Sequence, residues 1–230
     1  MSPVFRRSLT TLLGVLALFT LQACDSAGAT LPDPAVDAAL TQHATPQTAV
    51  LAGGCFWGME EVFQHVKGVT AVEAGYSGGA ADTAHYETVS GGNTGHAESV
   101  KITYDPSIIS YGQLLKVYFS VAHNPTELDY QGPDHGTQYR SSIFIANPEQ
   151  QRIAQAYIKQ LQAAKVFAQP IVTTVVPLQA FYPAEAYHQN YAMRHPHDPY
   201  IMIYDLPKLT ALRQQFPALY VDNSSRQKRI

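Results

Sequence analysis

The chain is poor in cysteine and in charge. Of its 230 residues two are Cys, and 14% are Asp, Glu, Lys or Arg. Two cysteines exclude a disulfide-braced scaffold and a four-cysteine zinc site. There is no helical His-x-x-x-His pair. The nearest histidine pair, His195 and His197, flanks a proline and has no partnering Cys, so no metal is expected. The formal charge of −3 excludes the basic footprint of a nucleic-acid-binding protein, the one basic cluster being Arg226, Lys228 and Arg229 at the tail. A single Trp stands beside 14 Tyr. What is present in quantity is apolar: 46% of residues, enough to fill a core and to exclude wholesale disorder.

The first residues read as an address. Arg6 and Arg7 precede an uncharged run from Leu9 to Ala23, too short for a comfortable membrane span and suited to the apolar region of a secretory signal. The run ends in Leu21-Gln22-Ala23-Cys24, which resembles a bacterial lipoprotein processing box with a less usual residue at Gln22. That resemblance implies lipidation of Cys24. A plain signal peptide cut after Ala23 and a single-span anchor are the alternatives. Each places the rest of the chain outside the cytoplasm, and a periplasm-facing lipoprotein of the bacterial cell envelope is the expectation. Residues 1–23 are then a signal peptide. Residues 24–47, rich in Ala, Asp, Pro and Thr and without Phe, Trp or Tyr, read as a flexible tether, with a helical turn at most over Ala35–Leu40. Residues 48–220 form one domain, and 221–230 a basic tail.

Within the domain, strands and helices alternate. Ala49–Ala52 is a short apolar run closed by Gly53-Gly54, a buried strand ending in a tight turn. Phe56–Val66 reads as a helix with Trp57, Glu60, Phe63 and Gln64 on one face. Val69–Gly75 is a second strand, and Ser77–Gly95 a loop of functional length. Ala97–Tyr104 alternates, with Glu98, Val100, Ile102 and Tyr104 on one side and Ser99, Lys101 and Thr103 on the other. A helix from Tyr111 to Val121, capped by Ser110, precedes a polar loop at Asn124–Thr137. A strand at Ser141–Ala146, a helix from Pro148 to Ala164 and a strand at Ile171–Pro177 follow, then a Tyr- and His-rich tail. This order predicts a two-layer α/β (α+β) sandwich.

Three features carry chemistry. Cys55 lies between the Gly-Gly turn and a helix N-terminus, where free N–H groups and the helix dipole favour a thiolate. Gly53, Gly54 and Gly58 leave room for another molecule, and Phe56 and Trp57 supply an apolar wall. The competing reading is a buried structural cysteine. Glu98 sits on the strand face that holds Val100 and Ile102; burial there raises a carboxyl's pKa and makes it a proton donor. A solvent-edge Glu, or one paired with Lys101 or His96, is the alternative. Tyr86 and Tyr139, on loop or strand-end positions, offer hydroxyls that donate to a polar oxygen while their rings exclude water. Asp134-His135 is a pair that orients the site residues from behind, or a solvated turn. A single-cysteine peroxidase, or a hydrolase with His96 or His188 as base, uses similar residues, and a binding module that keeps the fold uses none of them.

Gly54-Cys55-Phe56-Trp57-Gly58 resembles the signature of the peptide methionine sulfoxide reductase A family. Gly75-Tyr76-Ser77-Gly78-Gly79, Tyr86, Gly95-His96-Ala97-Glu98, the run from Asp134 to Ser141 and the run from Ala184 to Gln189 resemble further blocks of that family in the expected order. The resemblance spans about residues 48–220. It implies a sandwich built on a ferredoxin-like core and reduction of the S epimer of methionine sulfoxide, in oxidised proteins or free. Cys55 would attack the sulfur, Glu98 protonate the oxygen, and Tyr86 and Tyr139 hydrogen-bond it. Phe56 and Trp57 would hold the methyl group, with Asp134 and His188 also binding substrate. No cofactor is implied.

The sequence departs from the family's better-known pattern in one respect. Many members carry C-terminal cysteines that resolve the sulfenic acid left on the catalytic one, and here no cysteine follows Cys55. An external thiol is therefore expected to reduce it, from a thioredoxin-like partner or from glutathione or a glutaredoxin. A monomer is expected, and no action on the R epimer.

Overall fold

The computed structural model describes residues 30–42 and 45–222. The leader, Cys24 and most of the basic tail lie outside the described residues. The elements in chain order are β1 (Gln47–Ala52), α1 (Phe56–Gln64), β2 (Val69–Ser77), α2 (Tyr86–Val89), β3 (Ala97–Tyr104), α3 (Tyr111–Val117), β4 (Tyr130–Gln131), β5 (Asp134–His135), β6 (Ser142–Ile145), α4 (Pro148–Ala163), β7 (Thr174–Pro177), β8 (Phe181–Pro183), α5 (Tyr191–Arg194) and α6 (Leu206–Gln215).

The sheet follows from the apolar pattern. β1 is buried from Ala49 to Ala52 and takes a central place between β3 and β6, antiparallel to both. β3 pairs in turn with β2, so that Leu51 faces Val100 and Tyr76 faces Glu98. The unit β1–α1–β2–β3–α3–β6 therefore has the strand order β6-β1-β3-β2, the ferredoxin-like arrangement, extended by β7 and β8 at its edges. The two-layer α/β class expected from the element order is the one observed. Phe56, Met59, Phe63, Val100, Ile102 and Leu114 belong to the main core. The opposite face has a smaller cluster of Val50, Ala52, Ala97 and Phe144, covered by Val176, Leu178 and Phe181.

Three expectations need adjusting. The 77–95 loop contains a one-turn helix, so Tyr86 opens α2 rather than lying on irregular chain. The helix predicted to Val121 leaves α-geometry after Val117 and continues as a π-type turn, Tyr118–Ala122. The Tyr/His-rich tail, for which the sequence reading gives no elements, supplies β8, α5, a π-type turn at Ile201–Asp205 and α6. These are short elements held by packing, so no long hydrophobic period announces them.

The larger correction concerns the tether, since the segment from Thr30 is docked on the domain. Leu31 is buried in the main core, and Val36 and Ala38 pack against it. The Tyr157 hydroxyl donates to Pro32 O at 2.8 Å, and the Gln160 amide reaches Asp33 O and the Ala35 N–H, both at 2.8 Å. Asp37 accepts from Ser110 Oγ at 2.5 Å and from the Gly112 N–H at 2.8 Å. The helical turn over Ala35–Leu40 does not form. Composition concealed this strap because it needs only one buried Leu and one well-placed carboxylate. α3 already has a capping box between Ser110 and Gln113, and Asp37 completes it by taking a free N–H of the first turn.

Gly112 is part of that contact, because a Cβ there would lie 2.5 Å from Asp37 Cγ. Asp37→Ala is expected to cost about 1–2 kcal/mol in urea unfolding, the range of a lost helix cap. Gly112→Ala is expected to destabilise by displacing the strap, and the double variant to cost less than the sum. Strict additivity of the two changes in a double-mutant cycle would mean that the strap is not held by this contact.

Candidate active site

Cys55 is the N-cap of α1, reached from β1 through Gly53 and Gly54. Gly54 has φ +88°, a conformation that favours glycine. Cys55 is 8% exposed. Burial raises its pKa well above the ordinary value, and the carboxyls of Glu98 and Asp205 add to the rise; the Trp57 backbone N–H and the Lys208 ammonium act against it. The expectation of a resting thiolate is therefore corrected: the helix N-terminus is present, but desolvation outweighs it, and Cys55 rests as a thiol.

Glu98 projects from β3 to the same helix end. It is 2% exposed, and its Oε2 accepts the Phe56 N–H at 3.0 Å. Burial is the chief reason that its pKa rises from 4.5 to about 8, opposed by the Phe56 N–H and assisted by the charge of Asp134. Lys101 pairs instead with Glu73 on the adjacent strand, and His96 bonds to the backbone of Gly79 and Ala80.

Aromatic residues fix the walls. Trp57 is stacked on Tyr191 with centroids 3.8 Å apart and planes 12° apart, and meets Tyr200 edge-on at 5.9 Å. Its indole N–H donates to His188 Nδ1 at 3.2 Å, which assigns the His188 proton to Nε2. The buried His188 ring also lies 5.0 Å from Phe56 and 4.3 Å from Tyr86. Thus His188 orients Trp57 and closes the space between Phe56 and Tyr86. Two buried polar residues of α1 hold this segment: Glu60 accepts the Asn190 N–H at 2.8 Å and Gln64 donates to Asn190 Oδ1 at 2.8 Å. Glu185 accepts from the Tyr76 hydroxyl at 2.9 Å and from the Tyr86 N–H at 3.0 Å, pinning α2 to the sheet. Tyr86 and Tyr139 are half-buried; desolvation first, then the charge of Glu98, pushes both phenols above their ordinary pKa. Both hydroxyls therefore stay protonated as donors.

Asp134 stands on β5 and accepts a hydrogen bond from the Tyr200 hydroxyl, while His135 is exposed and stacks on Tyr130. The pair thus divides: Asp134 turns to the site and His135 does not. Beside them a cavity of about 320 Å³ opens on Cys55, with Asn124, Gln131, Asp134, Tyr200, Tyr204 and Lys208 in its lining. Lys208 donates to Asp205 at 3.1 Å. This pair lies against the first turn of α1 because residue 58 is glycine; a Cβ there would be 2.0 Å from Asp205 Oδ1. A larger cavity, about 580 Å³, follows α4 and contains none of the expected site residues. Among the described residues no three His, Cys, Asp or Glu gather as a metal ion requires.

The structure therefore brings Cys55, Phe56, Trp57, Tyr86, Glu98, Asp134, Tyr139 and His188 to one end of the sheet. Tyr191, Tyr200, Asp205 and Lys208 complete the site and were not read from the sequence. The tyrosine excess was the only signal for Tyr191 and Tyr200, and it carries no position; Asp205 and Lys208 had no signal. Cys24 lies outside the described residues.

Comparison with known proteins agrees with this arrangement. Residues 47–219 match the family model described as peptide methionine sulfoxide reductase. The peptide methionine sulfoxide reductase MsrA 2 of Mesorhizobium japonicum is 63% identical over 174 residues, covering 76% of this chain and 89% of that protein. The protein of the same name from Synechocystis is 53% identical, covering 81% and 88%. Among solved structures, Mxr1 from Saccharomyces cerevisiae in its reduced form aligns with a TM-score of 0.60 at 31% identity, covering 66% of this chain and 87% of that one. With a catalytic-type cysteine at the head of α1, a buried carboxyl beside it and this breadth of match, the chain belongs to the peptide methionine sulfoxide reductase A family.

Proposed function

We propose that this chain reduces methionine-S-sulfoxide, protein-bound or free, to methionine through a sulfenic acid on Cys55, and that an external thiol then reduces the sulfenic acid. The observation that carries the reading is the meeting of Cys55 and a protonated Glu98 at one helix end, with the Phe56 N–H as their common neighbour. Cys55 Sγ attacks the sulfoxide sulfur while Glu98 gives its proton to the oxygen. The Tyr86 and Tyr139 hydroxyls steady the oxygen as S–O polarity is lost. Glu98 is left as a carboxylate able to take the thiol's proton, so the site ends with its initial proton count. The bond to oxygen passes from the methionine sulfur to Cys55, methionine leaves, and Cys55 is a sulfenic acid.

Choice of one epimer follows from the same walls. The oxygen is drawn to Glu98, the methyl group to Phe56 and Trp57, and the attacking sulfur comes from α1. Three fixed directions leave one handedness for the remaining substituent; the S hand is the one the family's activity supplies. Locked by Tyr191 and His188, Trp57 keeps that geometry without rearrangement.

Regeneration rests on composition. The sequence has no cysteine after Cys55, and Cys55 is the one cysteine among the described residues. A thioredoxin-like reductant is the partner this reading favours, with glutathione or a glutaredoxin as the other thiol sources. The chain is further proposed to be an extracytoplasmic lipoprotein, supported by Arg6, Arg7, the uncharged run to Ala23 and the box ending in Cys24. Among the described residues no helix is long and apolar enough to cross a membrane.

The following measurements test this reading. Without reductant, each chain is expected to yield one methionine from racemic methionine sulfoxide and stop, with dimedone labelling Cys55. A Cys24–Cys55 disulfide as the main oxidised product would overturn the external-thiol route. Glu98→Gln is expected to slow the sulfoxide step by about 10²–10⁴-fold. The same variant is expected to be more stable than the wild type. A carboxyl whose pKa is raised from 4.5 to about 8 by folding loses stability as pH climbs through that window. The gain is on the order of 3 kcal/mol at pH 7 and vanishes toward pH 4.5; a stability difference between wild type and Glu98→Gln that is the same at pH 5 and pH 8 would refute a raised Glu98. Mass spectrometry of the mature N-terminus is expected to find lipid on Cys24, and a membrane-bound Cys24→Ala protein would point to an uncleaved helix instead.

A further inference from the structure

Cys55 lies beside the oxygen-binding cluster of Glu98, Tyr86 and Tyr139. It also lines the cavity of about 320 Å³, together with Asp134 and Tyr200, and none of Glu98, Tyr86, Tyr139 or Trp57 lines that cavity. Displacement at a divalent sulfur is in line: the incoming thiolate, the attacked sulfur and the departing oxygen lie along one axis. With a sulfenic hydroxyl held by Glu98 and the tyrosines, the cavity that Cys55 lines and those residues do not is the open approach to Sγ.

The lining is suited to an anionic sulfur at one point. Lys208 is the only Lys or Arg in it. His123 contributes no charge, because it is fully desolvated and its pKa falls to about 3; its ring nitrogens are engaged by Tyr118 O at 3.1 Å and Ser141 Oγ at 2.7 Å. Asp205 fixes the ammonium, and its second oxygen, Oδ2, is buried without a partner. The carboxylates of the lining, Glu127 and Asp134, are held by neutral donors, Glu127 by Asn124 and Gly132 and Asp134 by Tyr200, so favourable charge for a thiolate is confined to the Lys208 ammonium.

We infer that this cavity is the port of the reducing thiol, and that Lys208 holds the incoming aliphatic thiolate in line with Cys55 Sγ. The inference rests on the external-thiol reading above and adds the place and direction of attack. In the step, the thiolate sulfur bonds to Sγ, the S–O bond breaks, and the oxygen leaves as water with a proton from the Glu98 side. A second thiol attacks the outer sulfur of the mixed disulfide, forms a free disulfide and releases Cys55. Two thiols are oxidised by two electrons in all, and the sulfenic sulfur is reduced by two. The thiol is either a free small molecule or a cysteine presented by another protein.

The test separates the two half-reactions. Cys55 is converted to the sulfenic acid with methionine sulfoxide, and its loss is followed by dimedone quenching after mixing with 2-mercaptoethanol or with a reduced thioredoxin-type dithiol. Methionine release in a single turnover is measured in parallel. For Lys208→Met the thiol step is expected to fall about tenfold further than the sulfoxide step, the loss of one ion contact at the transition state. Lys208→Arg is expected to recover most of it. Lys208→Met with Asp205→Asn removes the unpaired buried carboxyl and is expected to behave as Lys208→Met, which guards against a folding defect. A deficit with the small thiol alone assigns the port to free thiols, and one with both assigns it also to a protein cysteine. Equal slowing of both steps means that the cavity serves the sulfoxide or that Lys208 acts on Cys55 itself, and it overturns the inference. Wild-type sulfenic acid that no thiol reduces would instead refute the external-thiol reading.

Discussion

The hydrogen bond from the Phe56 N–H to Glu98 is the constraint on which the site depends. It joins the middle strand β3 to the head of α1 and sets a carboxyl beside the only described cysteine. Both groups are desolvated, and the charge of Glu98 further raises the cost of ionising Cys55. The space tolerates one negative charge poorly and two hardly at all. Sulfoxide chemistry suits such a place, since the proton that leaves sulfur and the one that reaches oxygen cancel. Folding stability is lost to keep Glu98 dry, and the loss is the reason it remains an acid near neutral pH.

The same helix end organises the aromatic wall from behind. Glu60 and Gln64 are buried polar residues on a helix whose neighbours are apolar, and their role is to grip Asn190. That places His188 and Tyr191 on either side of the grip, one bonded to the Trp57 indole and the other stacked on it. Glu60 is itself raised to about 8 by burial. A carboxyl that holds a backbone N–H inside the protein, rather than a charge at its surface, is thus used twice, at Glu98 on β3 and at Glu60 on α1.

Much of this was legible beforehand where local pattern governs. The run Ala49–Ala52, the glycine turn and the alternation of Ala97–Tyr104 placed Cys55 and Glu98, because strand period alone puts residue 98 on the face of Val100 and Ile102. Motif resemblance then ordered the remaining blocks. What stayed hidden depends on distant residues. Asp205 and Lys208 lie about 150 positions from Cys55 and reach it only because residue 58 lacks a side chain. Tyr200 was one phenol among 14. The thiol's resting state was misread for a related reason: a helix N-terminus is visible in sequence, whereas the extent of desolvation is a property of the packed core.

The docked strap changes what an anchored enzyme of this kind would reach. A free tether from Cys24 to the first strand would reach at most about 80 Å, whereas the six steps from Cys24 to Thr30 allow at most about 20 Å. With lipid on Cys24, the volume swept by the catalytic domain shrinks roughly as the cube of that length, about sixtyfold. Proteins lodged at or near the bilayer surface then meet the enzyme at a raised local concentration, and those diffusing deeper in the compartment meet it rarely. A single buried leucine and one capping aspartate would in this way convert a roaming repair activity into one with a territory.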